Sequence, residues 1–271
     1  MDEQKNNLIT VGIPFYNKTN PRYFVESVDS IVKQTFQPLK IHLIQDGPIS
    51  DDLTRIIKKY KNNYRSLFEI IVLNKKGLPY ALNQSIYQTT TKYYARMDSD
   101  DIAFKTRLEE QVSYLEKNID VDILGSWAKE FDKNTIERKY FINRRPIEKS
   151  RIVEYFHYKN PLIHPTVVFR MSVFNKIGFY NEKFYTDQDL ELWGRALKYR
   201  VGISNIQKPL LYFRTQGRQK RRSRFSAIKR QIIARYSYNT MSIKLNMLKI
   251  AAIIFRLLPE KFRLWGYKYL R

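Results

Sequence analysis

The sequence predicts an α/β fold with a mostly parallel central sheet flanked by helices. Three observations carry this. Short apolar, β-branched runs alternate with stretches of helical apolar spacing through the first hundred or so residues, which is the pattern of successive βαβ units. Amides and carboxylates follow each run, where open α/β sheets bind ligands. The chain has 271 residues and is 43% hydrophobic, enough to bury one large core or two packed halves.

Residues 8–13, LITVGI, read as a buried strand stopping at Pro14. Phe24, Val28, Ile31 and Val32 then recur at helical spacing between Arg22 and Thr35, and Pro38 closes the segment. IHLIQ (41–45) is the second strand, and Leu53, Ile56, Ile57 and Tyr60 mark the second helix. EIIVL (69–73) is the third strand, Leu78, Leu82 and Ile86 mark a helix, and KYYARM (92–97) is the fourth strand. Beyond Asp101 the pattern loosens to a helix over 105–117, a strand near VDILGS, a strand at PTVVFR (165–170) and a helix from Asp187 to Tyr199 with Leu190, Trp193 and Leu197 on its apolar face. No repeat or low-complexity linker separates the halves. The reading is one domain over 1–217, softly divided into 1–101 and 102–217, followed by a basic amphipathic helical extension over 218–271.

The chain has no cysteine, so disulfides and thiolate zinc sites are excluded and any metal must take oxygen or imidazole ligands. The first ten residues, MDEQKNNLIT, lack the order of a secretory signal, so a cytosolic enzyme is expected. The net charge of +23 is unevenly spread: residues 208–271 hold 17 basic residues against Glu260, a net +16, whereas residues 1–207 are only +7. The basic tail therefore needs its own partner.

The strand ends carry the chemistry. Pro14-Phe15-Tyr16-Asn17, Gln45-Asp46-Gly47, Asn74-Lys75-Lys76-Gly77 and Asp98-Ser99-Asp100-Asp101 follow strands one to four. Asp98 and Asp100 stand two apart, which in an extended segment turns both carboxylates to one side. Such repulsion is relieved by a divalent cation. The alternative is that DSDD caps a helix starting near Ala103.

Taken in order, VGIPFYN, SVDSIVKQTF, LIQDGP, NKKGLPYALNQSI, ARMDSDD and TDQDLELW resemble the motifs of family 2 glycosyltransferases of the GT-A fold, nearest to bacterial exopolysaccharide and lipopolysaccharide enzymes of the amylovoran-biosynthesis type. The resemblance covers residues 8–214. It implies an inverting transfer from a nucleotide-diphosphate sugar, usually a UDP-sugar, to a saccharide or polyprenyl-linked saccharide, with 1–101 as the donor half and 102–217 as the acceptor half. It also implies residue roles. Asp46 would meet the base, Pro14, Phe15 and Tyr16 would shape its pocket, and Lys76 would contact base or phosphate. Asp98 would reach the ribose or a metal-bound water, with Asp100 ligating Mn²⁺ or Mg²⁺. A divalent ion neutralises the charge that develops on the leaving diphosphate, and the acceptor hydroxyl needs a base. In the family an acidic pair before the LW-bearing helix supplies it; here Thr186 replaces the first acid, leaving Asp187 as the base and Asp189 as the alternative. Both could instead cap that helix. His164 matches an acceptor-side histidine, although a structural role competes.

The tail intersperses Ile228, Ile232, Ile243, Leu248, Ile253 and Leu257 with Lys and Arg, and ends in Trp265, Tyr267 and Tyr269. Its longest uncharged stretch, Ile250 to Phe255, is too short to span a bilayer, which takes about 20 apolar residues. Helices lying on an anionic membrane fit this composition, placing the enzyme at the inner face of the cell membrane; a helical pair covering the domain's flank is the alternative. A nucleic-acid-binding module is disfavoured because the strand-end acids would repel phosphates, and a noncatalytic scaffold because those acids are present together. A nucleotidyltransferase would carry a glycine-rich basic loop after the first strand, and GIPFYN is not one.

Overall fold

The computed structural model describes residues 8–131, 140–215 and 225–258. Most of the basic run at 217–226 and the terminal aromatics Trp265, Tyr267 and Tyr269 lie outside the described residues.

The first half is a parallel βαβ array: β1 (Ile9–Phe15), α1 (Pro21–Val32), β2 (Lys40–Asp46), α2 (Asp51–Asn63), β3 (Phe68–Leu73), α3 (Leu78–Tyr87) and β4 (Tyr93–Arg96). Local chemistry starts each early helix. The Asn20 side chain accepts from the Arg22 and Tyr23 amides with Pro21 at the first helical position, and Ser50 caps α2 ahead of Asp51 and Asp52. β1 runs through Pro14 to Phe15, two residues past the expected stop. Residues 8 and 12 turn their carbonyls to the β4 side, accepting from Tyr93 and Met97, so Pro14 faces that side too. The ladder to β4 ends at Gly12 opposite Arg96, and proline's missing N–H costs nothing there.

The second half supplies β5 (Ile102–Ala103), α4 (Arg107–Lys117), β6 (Ile123–Phe131), β7 (Phe141–Asn143), α5 (Lys149–Tyr158), a 3-10 turn (His164–Thr166), β8 (Val168–Arg170), α6 (Val173–Ile177), α7 (Gln188–Lys198) and β9 (Ile203–Arg214). All described strands join one nine-stranded sheet, ordered β3-β2-β1-β4-β8-β6-β9-β5 with β7 on β6. Pairing is parallel across β3-β2-β1-β4 and between β6 and β9, and antiparallel where β8, β7 and β5 join. Because β8 is antiparallel to both β4 and β6, the C-terminal ends of β1, β2, β4, β6 and β9 share one edge.

One buried cluster unites β1, β2, β4, α1, α2 and α4; a second joins α3, α5, α6, α7 and β8 around Trp193 and Phe169. Two further helices, α8 (Phe225–Arg235) and α9 (Ile243–Leu257), pack on this second half, α8 against α7 and α9 against α5. Ala234 joins the second core.

Candidate active site

Three carboxylates gather where β4 ends. Asp98, Asp100 and Asp101 each offer an oxygen within 4.8 Å of the others. Their convergence comes from a turn at Ser99–Asp100, not from extended alternation, so the same-side geometry expected of a strand is not what brings them together. Nor do they cap a helix: β5 follows directly, and α4 begins only at Arg107, after Thr106.

Neighbouring elements fix the turn. Ser27 of α1 donates to the Asp98 carbonyl at 2.8 Å, Ser30 accepts from the Ala103 amide, and the Gln34 side chain bonds the Phe104 carbonyl and the Leu108 amide. From the end of β9, the Arg214 amide donates to Asp101 Oδ1 at 2.8 Å and its guanidinium to the Asp100 carbonyl at 2.9 Å and to Glu26 at 2.6 Å. That guanidinium lies 3.7 Å from the Tyr23 ring centroid. Arg96, 2% exposed, donates to the Asp98 carboxylate. Three hard oxygen donors at this separation fit an Mg²⁺ or Mn²⁺ ion, which relieves the repulsion among them.

The remaining strand ends face the same edge. The Asp46 carboxylate accepts from the Lys76 amide at 2.8 Å and the Gly77 amide at 3.0 Å, joining the loops after β2 and β3. The Lys76 ammonium lies over the Tyr80 ring at 4.5 Å. Pro14 and Phe15 are buried, Phe15 against Phe24 at 4.9 Å between centroids, whereas Tyr16 is 37% exposed. Of Pro14, Phe15 and Tyr16, only Tyr16 presents its side chain to solvent.

In the second half of the chain, Asp187 is the residue before α7 and sits in the left-handed region (φ 59°, ψ 20°), yet its side chain makes no capping bond to α7. Its Oδ1 accepts from Gln231 of α8 at 3.2 Å. Asp189 accepts from Asn160 at 2.6 Å. Burial, and then the charge of Asp187, push its carboxyl above the usual range, against weaker pull from hydrogen bonds and from Arg96. Arg96 thus acts on both the acidic cluster and α7. His164 is buried, its Nε2 2.8 Å from the Tyr180 hydroxyl. Tyr180 feels Arg96 and Asp189 through space, and burial raises its phenol well above its ordinary value.

Asp98 and Asp100 therefore stand together with Asp101; Asp46 and Lys76 form a neighbouring pair; and Asp189 and His164 connect to the cluster through Arg96 and Tyr180. Sequence reading assigned no role to Arg96, Arg214, Asn160, Tyr180 or Gln231. Arg96 had one available signal, a cation at the end of an apolar strand just before three acids. The others are distant in sequence from what they touch.

Comparison with known proteins identifies the architecture. The sequence pattern described as "Glycosyl transferase family 2" matches residues 10–178. An Escherichia coli protein described as UDP-Gal:alpha-D-GlcNAc-diphosphoundecaprenol beta-1,3-galactosyltransferase is 31% identical over 264 residues, spanning 96% of this chain and 94% of its own. The amylovoran biosynthesis glycosyltransferase AmsE of Erwinia amylovora is 32% identical over 208 residues, 76% of each chain. Among solved structures, S. aureus TarS 1-349 in complex with UDP-GlcNAc superposes with a TM-score of 0.67 at 19% identity, covering 92% of this chain and 72% of that one. A pattern over residues 10–178, which takes in all four strand-end loops, with a relative along nearly the whole length, leaves one assignment: this chain is a glycosyltransferase of the GT-A fold and belongs to glycosyl transferase family 2.

Proposed function

We propose that the protein is a metal-dependent, inverting glycosyltransferase that moves a sugar from a UDP-sugar to a saccharide carried on a lipid diphosphate, for cell-surface polysaccharide. The observation that carries the metal-dependent reading is the cluster of Asp98, Asp100 and Asp101 at the end of β4, braced by α1 and by Arg214. Relatives supply the substrate classes: the E. coli relative is named for a UDP-Gal donor and a diphosphoundecaprenol-linked acceptor, and a structurally similar Pyrobaculum calidifontis mannosyltransferase, TM-score 0.63, is in complex with GDP-Man and Mn²⁺.

Asp98, Asp100 and Asp101 would hold Mn²⁺ or Mg²⁺, which when bound neutralises charge developing on the leaving diphosphate. Asp46 organises the loop carrying Lys76, and with Tyr16 borders the region of the nucleotide. The acceptor hydroxyl loses its proton to an acid at the start of α7. Asp187 and Asp189 are the two choices. Their surroundings favour Asp189: its proton affinity is raised, as suits a general base, and it shares Arg96's field with the metal cluster. Each is held by one side-chain amide, Asp187 by Gln231 at 3.2 Å and Asp189 by Asn160 at 2.6 Å. His164 would act on the acceptor side through Tyr180, whose hydroxyl it bonds and which interacts with Asp189 through space.

The tail reading is peripheral attachment to the inner face of the cell membrane. Ile243, Met247, Ile250, Ile254 and Leu257 of α9 are each at least half exposed, and their spacing of four, three, four and three puts them on one face. No helix among the described residues is long and apolar enough to cross a membrane, so the attachment would be interfacial.

The donor reading is tested by thermal stabilisation with a panel of sugar nucleotides, with and without Mn²⁺. One UDP-sugar should stabilise the protein selectively and only with metal, and Asp100→Ala should fold normally while losing that response. A folded Asp100→Ala protein with undiminished Mn²⁺-dependent stabilisation would sink the metal assignment.

A further inference from the structure

We infer that Arg230 and Gln231 of α8 are positioning residues: they latch the loop opening α7 and so set the geometry of the base. The inference rests on the reading above that an acid at the start of α7 takes the acceptor proton. It gives the chain beyond residue 217 a task inside the reaction, distinct from docking.

The latch has two adjacent bonds. Arg230 Nε donates to Thr186 Oγ1 at 2.9 Å and Gln231 Nε2 to Asp187 Oδ1 at 3.2 Å. Gln231 is only 6% exposed, so its donor is committed to the loop. The loop needs holding. Asp187 is a non-glycine residue at φ 59°, a conformation costing on the order of 1 kcal/mol that persists only when its surroundings impose it. Its carbonyl starts α7 by accepting from Glu191, but its carboxylate makes no bond to the helix's own amides. Among the described residues, that carboxylate accepts from Gln231 of α8.

The chemistry of the donor matters. An amide holds the carboxylate without adding an opposing charge, and after burial it is Asp187 that raises the proton affinity of Asp189. A rotation of residues 186–188 would carry Asp189 off Asn160 and out of line with the acceptor, and misplacement by about 1 Å costs on the order of a hundredfold in rate.

The helix that does the holding is tightly seated. Ala234 is fully buried, and Arg235, 1% exposed, donates to the Phe156 carbonyl of α5. Just beyond α8, Ser237 lies so near α7 that a Cβ on Gly194 would stand 1.8 Å from its Oγ. Such seating transmits the position of α8 to α7.

The test uses the full-length protein, with UDP plus Mn²⁺ as the binding probe and the UDP-sugar selected by the stabilisation screen for turnover. Gln231→Met keeps the shape and removes the donor; Gln231→Glu sets a carboxylate against Asp187. Both should keep the UDP affinity within about twofold and melt near the wild type, while kcat falls at least tenfold, further for Glu than for Met. Arg230→Lys, which keeps a cationic donor, should lose less than Arg230→Ala. Ile233→Gln, at a half-exposed position on the same helix, should change nothing. Wild-type kcat in both Gln231 variants, while Asp189→Asn or Asp187→Asn abolishes turnover, overturns the latch and leaves the base reading standing. Full turnover in both Asp variants overturns the base reading and the latch with it. A parallel loss of UDP binding and melting temperature in the Gln231 variants shows a merely structural helix and also overturns it.

Discussion

At the residue scale, the site is built from acids whose charges are managed by buried cations. Arg96 and Arg214 are 2% and 4% exposed and reach the turn at 98–101 from two different strands, Arg96 at the Asp98 carboxylate and Arg214 at the Asp100 carbonyl. Asp189 shows the opposite balance: burial outweighs its hydrogen bonds and its carboxyl is raised. A base must be ionised to accept a proton. Because its affinity for protons is raised, kcat should fall on the acid side at a pH above the ordinary carboxylate value of 3.8. A pH–rate profile measures this, and Asp189→Asn should lose transfer at every pH while UDP affinity is retained. An acid limb at or below that ordinary value, or near wild-type transfer by Asp189→Asn, would remove Asp189 from the role.

At the element scale, β1 is the axis from which the strand-end loops are hung, and its packing leaves no slack. The Tyr94 hydroxyl passes so close to β1 that a Cβ on Gly12 would stand 1.8 Å from it; that hydroxyl bonds Ser85, which in turn bonds buried His42 of β2. Gly12→Ala should therefore cost about 1–3 kcal/mol through overpacking. Denaturant unfolding checks it, and a loss under about 0.5 kcal/mol, the range of neutral surface changes, would show that Tyr94 can move aside. The elements themselves were unevenly legible. β1 to β4 and α1 to α3 follow from apolar period and from Pro, Asn and Ser signals at their ends. β9 does not, because Gln207-Lys208-Pro209 interrupts its apolar run, and the pairing with β6 absorbs the interruption by register shifts around Trp127. Pro165 likewise reads as the start of a strand, but residues 164–166 wind into a 3-10 turn whose Thr166 bonds β6.

At the scale of the whole molecule, charge and apolar surface are segregated. Most of the +23 net charge lies beyond residue 207, and α9 turns Lys249 inward, donating to the Tyr238 carbonyl at 2.8 Å, while Ile243, Ile250 and Ile254 face out. Full-length protein should co-sediment with vesicles containing anionic lipid more strongly than with neutral ones. About 1 M salt should weaken but not abolish this, since salt screens charge and leaves apolar burial intact. Replacing Ile250 and Ile254 together with Glu should release the protein without lowering its melting temperature, as both are at least half exposed. Equal binding to neutral and anionic vesicles, or undiminished binding by the double variant, would count against the membrane surface.

What the sequence by itself determined was local: the periods that make the parallel half of the sheet, the absence of thiol chemistry, and the order of motifs that marks the family and points to Asp46, Asp98 and Asp100. Each of these depends on residues within a few positions of one another. The tertiary structure alone decided that Asp101 completes the acidic cluster, that Phe15 is core while Tyr16 is exposed, that Arg214 braces the cluster, and that a residue of the tail reaches Asp187. The physical reason is plainest for the last two, where Arg214 meets Asp100 across 114 positions and Gln231 meets Asp187 across 44: no period or local spacing in a chain encodes which distant side chain will satisfy a given carboxylate. That is settled when β9 pairs beside β6 and α8 seats on α7.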